Sequence, residues 1–177
     1  MMHDGHEPDD GVRSPISDWL ESVIDWTGRG TAWICLVLVL LVAFNVILRY
    51  AFRLGPVALQ ELEWHLMSPI ALVGMSYALR HGDHVRVDIF FDRFGRTLQE
   101  WIDLTASVVT VVIAVIIFKL SLGFVDQAYS IGEGSPDPGG LPHRFLLRAF
   151  IPLGFALLGV QAVAKAIRHG LYLFGRR

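Results

Sequence analysis

Residues 60–101 read QELEWHLMSPIALVGMSYALRHGDHVRVDIFFDRFGRTLQEW, and the fold turns on how that stretch is read. Glu61 and Glu63 open an apolar run from Trp64 to Leu79, and a cluster of charge and histidine, Arg80 to Asp88, closes it. An apolar run with charge massed at one end is the pattern of a membrane span meeting a water-facing surface. The run is short for a crossing, so the flanking turns must complete it. Pro56 suits the start of this helix, and Pro69 lies inside it, where neighbouring groups must satisfy the carbonyl it frees. Ala71, Gly74 and Ala78 recur at spacings of three and four on one face, where small side chains let another helix approach. After the charged cluster, Val87, Phe90, Phe91, Phe94, Leu98 and Trp101 line one side of a helical segment, and Asp88, Asp92, Arg93, Arg96 and Glu100 line the other. This is the signature of an amphipathic helix lying in the membrane plane, over about residues 87–100.

Three further apolar runs flank this stretch on either side. Thr31 to Leu48 is nearly unbroken, with Asn45 its one strongly polar side chain, placed to hydrogen-bond a neighbouring helix. Leu104 to Phe118 continues past Lys119, whose stem can snorkel to the nearer interface. Ala149 to Ala164 is flanked by Arg148 and Lys165, with Pro152 in its first turns, where proline costs little. Between the last two runs, Asp126 to His143 is dense in glycine and proline and reads as turns. Upstream, Ser14-Pro15 fits a helix start. Ile16, Trp19, Leu20, Val23 and Ile24 then share a face opposite Asp18, Glu21 and Asp25. The preferred reading is a second in-plane helix over 14–30, with a cap packed on a partner as the alternative.

The fold expected is therefore an all-α integral membrane protein of four transmembrane helices plus in-plane amphipathic helices. The spans fall at about 31–52, 57–80, 102–125 and 145–167 within a membrane domain of 31–169, preceded by a structureless acidic tail at 1–13 and followed by a tail at 170–177. Composition agrees: of 177 residues 53% are hydrophobic and 18% charged, against about 25% charged in soluble domains. Net charge is −2, so nothing points to nucleic acid, and the single cysteine, Cys35, has no partner for a disulfide. The acidic first residues are unlike a cleavable signal peptide. Four spans put both termini on one side. That side carries ten of the fifteen Lys and Arg residues, so the positive-inside rule makes the termini cytoplasmic.

Candidate chemistry is sparse. His65 is the one histidine inside a span, so paired axial haem ligands are missing. His81, His84, Asp83 and Asp88 are dense but lack a metal-ligand spacing, and no phosphate-cradling glycine loop occurs. No cofactor and no metal are expected, nor is enzymatic catalysis. Glu61 and Glu63 mark a functional path, an ion pair with Arg49 or Arg53, or simply acids suited to a helix N-terminus. Nothing resembles the inverted repeats with broken helices common in secondary transporters, so the chain reads as an accessory to a larger membrane protein, or alternatively as a membrane anchor subunit of a respiratory or other enzyme.

Several short segments, in order and at spacing, carry a resemblance. They are Glu61-Leu62-Glu63, Tyr77-Ala78-Leu79-Arg80, His84-Val85-Arg86-Val87-Asp88, Gly139-Gly140-Leu141-Pro142 and Ile151-Pro152-Leu153-Gly154. Over about Trp33 to Leu158 the chain resembles the small, DctQ-like membrane subunit of tripartite ATP-independent periplasmic (TRAP) transporters. The resemblance implies a non-catalytic subunit of the bacterial inner membrane that braces a large elevator-type permease subunit. A periplasmic binding protein would deliver an organic acid anion, with coupling, commonly to sodium, in the large subunit. On this reading Arg80, His84, Arg86 and Asp88 form a structural knot on the cytoplasmic side, and the 126–143 loop, by its periplasmic assignment and turn-rich composition, is the candidate for touching the binding protein.

Overall fold

A computed structural model of the chain describes residues 15–81 and 94–175, which form four helices. They are α1 (Pro15–Ala51), α2 (Val57–His81), α3 (Arg96–Ser130) and α4 (Phe145–Phe174). α1 is continuous through 37 residues, about 55 Å, so the amphipathic segment expected at 14–30 and the first span form one helix. Gly28 and Gly30 do not break it, and Gly28 lies under the Tyr77 ring, where any larger side chain would collide. The second expected in-plane helix, 87–100, lies mostly outside the described residues. Its final part, from Arg96, is the first turn of α3.

Two helices outrun the lengths expected of them. α3 continues to Ser130, because nothing interrupts its ladder before Gly132. There the chain turns left-handed (φ +60°), and two backbone bonds close the end: Gly132 N–H to Tyr129 C=O (3.1 Å) and Glu133 N–H to Ala128 C=O (3.0 Å). This is a Schellman cap, and it satisfies carbonyls that would otherwise lack donors. α4 runs through Phe174, so most of the expected C-terminal tail is helical.

Among the described residues three helices are long and apolar enough to cross a membrane: α1 from Ile24, α3 and α4. α2 is long enough at 25 residues, about 38 Å, but Gln60, Glu61, Glu63 and His65 crowd one end and Arg80 the other.

The packing is two antiparallel hairpins, α1–α2 and α3–α4, joined where α2, and less extensively α1, lies beside α4. Many of the buried positions are small, alanine and serine above all. On α3, Ser107, Ala114, Ser121 and Ala128 recur every seventh residue, the period that keeps one seam facing a partner helix. Where α2 meets α4, a Cβ on Gly154 would lie 2.6 Å from Leu72 Cβ and 2.9 Å from its carbonyl oxygen, so only glycine fits. Each buried serine returns its hydroxyl proton to a backbone carbonyl one turn back (Ser76 to Val73, Ser107 to Asp103, Ser121 to Phe118). Close approach by small residues is how helices associate where lipid removes the hydrophobic drive between them.

Candidate functional site

The polar side chains gather in two layers. At the α2 N-terminal end, two carboxylates two residues apart reach in different directions. Glu63 turns to α1 and accepts a hydrogen bond from Asn45 Nδ2 at 2.8 Å, the interhelical role expected of Asn45. Glu61 turns to the loop between α3 and α4. Its Oε1 accepts from the Ser135 hydroxyl, and its Oε2 accepts from the Leu141 backbone N–H at 2.5 Å. The Arg144 guanidinium and the His65 ring also lie within electrostatic range of Glu61. Hydrogen bonds to an ionised carboxylate are stronger than neutral ones, so this is a two-point grip on a distant segment. Arg49 and Arg53 are exposed and, among the described residues, pair with neither acid.

The gripped loop has its own order. Ser135 N–H bonds Leu141 C=O (3.1 Å), and Arg144 N–H bonds Glu133 C=O (2.9 Å). At its tip Gly140 N–H bonds Asp137 C=O (3.0 Å) around Pro138-Gly139, with Gly139 at φ +81°. Proline then glycine at those places is the chemistry of a type II turn. Ser135 Oγ also accepts from Asp137 N–H (3.1 Å). Gly140 packs against Ser135 and 2.7 Å from Glu61 Oε2, measured from an added Cβ, so a side chain there would push the grip open. The far edge is fastened by Arg148, whose Nη2 donates to Glu133 Oε1 at 2.6 Å while its guanidinium lies 3.8 Å from the Phe124 ring centre. Pro136, Asp137, Pro138, Pro142 and His143 remain exposed on this ordered knob.

The opposite layer holds Arg80, paired with Asp25 of α1 at 2.9 Å, and Glu100, whose Oε2 lies 2.6 Å from His169 Nδ1 of α4. Arg96 stacks over Tyr172 at 5.3 Å, and Trp101 meets Phe174 edge-on. Of the expected knot, Arg80 stands here, while His84, Arg86 and Asp88 lie outside the described residues. Between the layers Gln161 is fully enclosed with neither side-chain nitrogen nor oxygen bonded. Among the described residues no cluster of three metal-ligating side chains forms.

The small face expected of α2 is not the one it packs with inside this chain. Val73, Ser76 and Leu79 are buried, whereas Ala71 is exposed and a Cβ on Gly74 would meet nothing within 4 Å. Ala78 is half-buried, and Pro152 is buried in α4. Sequence reading missed Ser135 at the grip and the pairings of Asp25, Glu100 and His169 opposite, and it marked Gly140 and Leu141 only within the family-like segment 139–142, not as neighbours of Glu61. Turn composition marked the loop, but no local pattern ties it to Glu61.

Residues 38–170 match the family of tripartite ATP-independent periplasmic transporters, DctQ component. The chain is also 28% identical over 125 residues to the ectoine TRAP transporter small permease protein TeaB of Halomonas elongata, a match covering 71% of this chain and 64% of that protein.

Proposed function

The chain belongs to the DctQ family, the small permease component of TRAP transporters, and on that premise we propose that it is a fixed brace for a large elevator-type permease subunit. It has no catalytic role. The transporter takes up an organic acid anion, driven by a cation gradient such as sodium, with coupling and selectivity in the partner subunits. The family match favours this reading over an anchor subunit of a respiratory enzyme.

One observation carries it. The helices are pinned to one another by polar contacts at both ends: Asp25–Arg80 and Glu100–His169 at one, Asn45–Glu63, Glu61–Leu141 and Arg148–Glu133 at the other. Asp25 and Asn45 stand twenty residues apart on α1, about 30 Å, the thickness of the hydrocarbon layer. Glu63 and Arg80 are seventeen apart on α2, about 26 Å. The spacing supports α2 as a fourth crossing whose polar ends are partnered at each interface, and the excess of Lys and Arg on the side of the termini supports placing both in the cytoplasm. A part that must stay still while a neighbour moves is suited by this double pinning.

The ordered knob at 131–144 then faces the periplasm and docks the binding protein. On the cytoplasmic side Arg80, with His84, Arg86 and Asp88, orients the connection to α3. The unpacked face of Ala71, Gly74 and Ala78 is left for the large subunit. Affinity purification of this chain in mild detergent, from cells expressing the adjoining many-span permease, recovers the large subunit. Asp88→Ala lowers that recovery, and removing residues 136–139 lowers uptake. Saturable solute flux through vesicles containing this chain alone would refute the proposal.

A further inference from the structure

An open groove of about 390 Å³ runs between α3 and α4. Its floor is Ala114 and Gly159, where the helices touch: a Cβ on Gly159 would lie 3.4 Å from Ala114 Cβ. Its walls include Val115, Phe118, Phe155 and Val163. Lys119 lies four residues, one helical turn, beyond the wall residue Val115, toward the Gly132 end of α3. It is exposed, and among the described residues it has no ion-pair partner. Asp126, the next charged residue toward that end, is seven residues on, about 10 Å. An ammonium at that depth reaches toward the headgroup level by extending its stem. From Phe118 the groove extends to Val111, about another 10 Å toward the middle of the bilayer. Lys119 is not itself a wall of the trough, but its stem leaves α3 one turn beyond the wall residue Val115, at the rim nearer the headgroups.

An intramembrane cation wants an anion, and the trough beneath it offers no hydrogen-bonding side chain. The trough does not suit a rigid helix. Close helix docking uses small exposed residues, and here the small ones already face each other while the rims are β-branched and aromatic. A flexible hydrocarbon tail fits such walls.

We propose that Lys119 and the α3–α4 groove form a binding site for one phospholipid, its phosphate on the Lys119 ammonium and one acyl chain in the trough. The site does not depend on the transporter reading. The test is native mass spectrometry of the full chain, released from detergent with dioleoyl phosphatidylglycerol titrated in. Wild type retains one lipid in preference to a neutral diacylglycerol of the same chains. Lys119→Leu weakens retention about fivefold, the contribution of one basic residue at a membrane surface. Ala156→Phe fills the trough and weakens it with Lys119 intact. Circular dichroism checks that both variants fold, and Lys119→Leu carries the test if Ala156→Phe does not. Equal retention by wild type and Lys119→Leu overturns the proposal. So does a photocrosslinker at Val163, in the assembled transporter, that labels the large subunit and no lipid.

Discussion

Gln161 offers a direct test of the packing. It is fully enclosed between helices, and neither polar atom of its amide has a partner. In a soluble core an unpartnered buried polar group costs about 1–3 kcal/mol. In a bilayer the reference state is itself apolar and pairs the amide less fully than water does, and interhelical hydrogen bonds there average about 0.6 kcal/mol, so the cost falls toward the low end of that range. Gln161→Met keeps length and flexibility while removing both polar atoms. It should therefore raise stability by about 1 kcal/mol, or roughly 2–4 °C in melting temperature for a chain of this size. Gln161→Ala should not, since it leaves a cavity in place of the amide. The assay is thermal unfolding in one detergent, followed by circular dichroism, with wild type, Met and Ala side by side. A fall in melting temperature for Gln161→Met would refute the reasoning. It would mean that the amide has a partner such as an ordered water, and that this partner is worth more than the desolvation it offsets.

Three further outcomes follow from the contacts. In Glu61→Ala the Leu141 amide should exchange its hydrogen about tenfold faster while the Glu133 amide, bonded to Ala128, holds its rate; equal acceleration at both would mean that the grip is not local. Glu61→Gln should fall between, because an amide can accept from Leu141 and still donate to Ser135. Gly154→Ala should destabilise by about 1–3 kcal/mol through its collision with Leu72, read by the same melts, and an unchanged midpoint would show that α2 and α4 yield there. Glu63→Leu should cost more alone than in an Asn45→Leu background, with a coupling of at least about 0.5 kcal/mol, and strict additivity would remove the pairing.

Much of the helical layout was legible from apolar runs, since a crossing demands about 20 apolar residues in a row. Asn45 announced its own interhelical bond by being the lone polar group in its run. The runs could not say where helices end, because α3 carries on through polar residues until Gly132 permits a left-handed cap. Nor did small-residue spacing reveal which face of α2 turns inward: Ser76 is buried because its hydroxyl is satisfied by Val73, which hides its polarity. Glu61 read equally well as a dipole partner or half of an ion pair. Its real partners lie 74 and 80 residues away, and one of them is a backbone N–H, which no residue type signals.

α1 is attached to α2 by one polar fastening near each membrane face, Asp25–Arg80 and Asn45–Glu63, with a largely bare apolar length between. Two rivets at opposite ends of a rod forbid both sliding and spinning. A shift of one helical turn, 5.4 Å, would undo both together and drag charged groups into oil. α1 is thus a poor piston for carrying a signal across the bilayer, and on the proposed reading it is a fence post against which a mobile neighbour would travel.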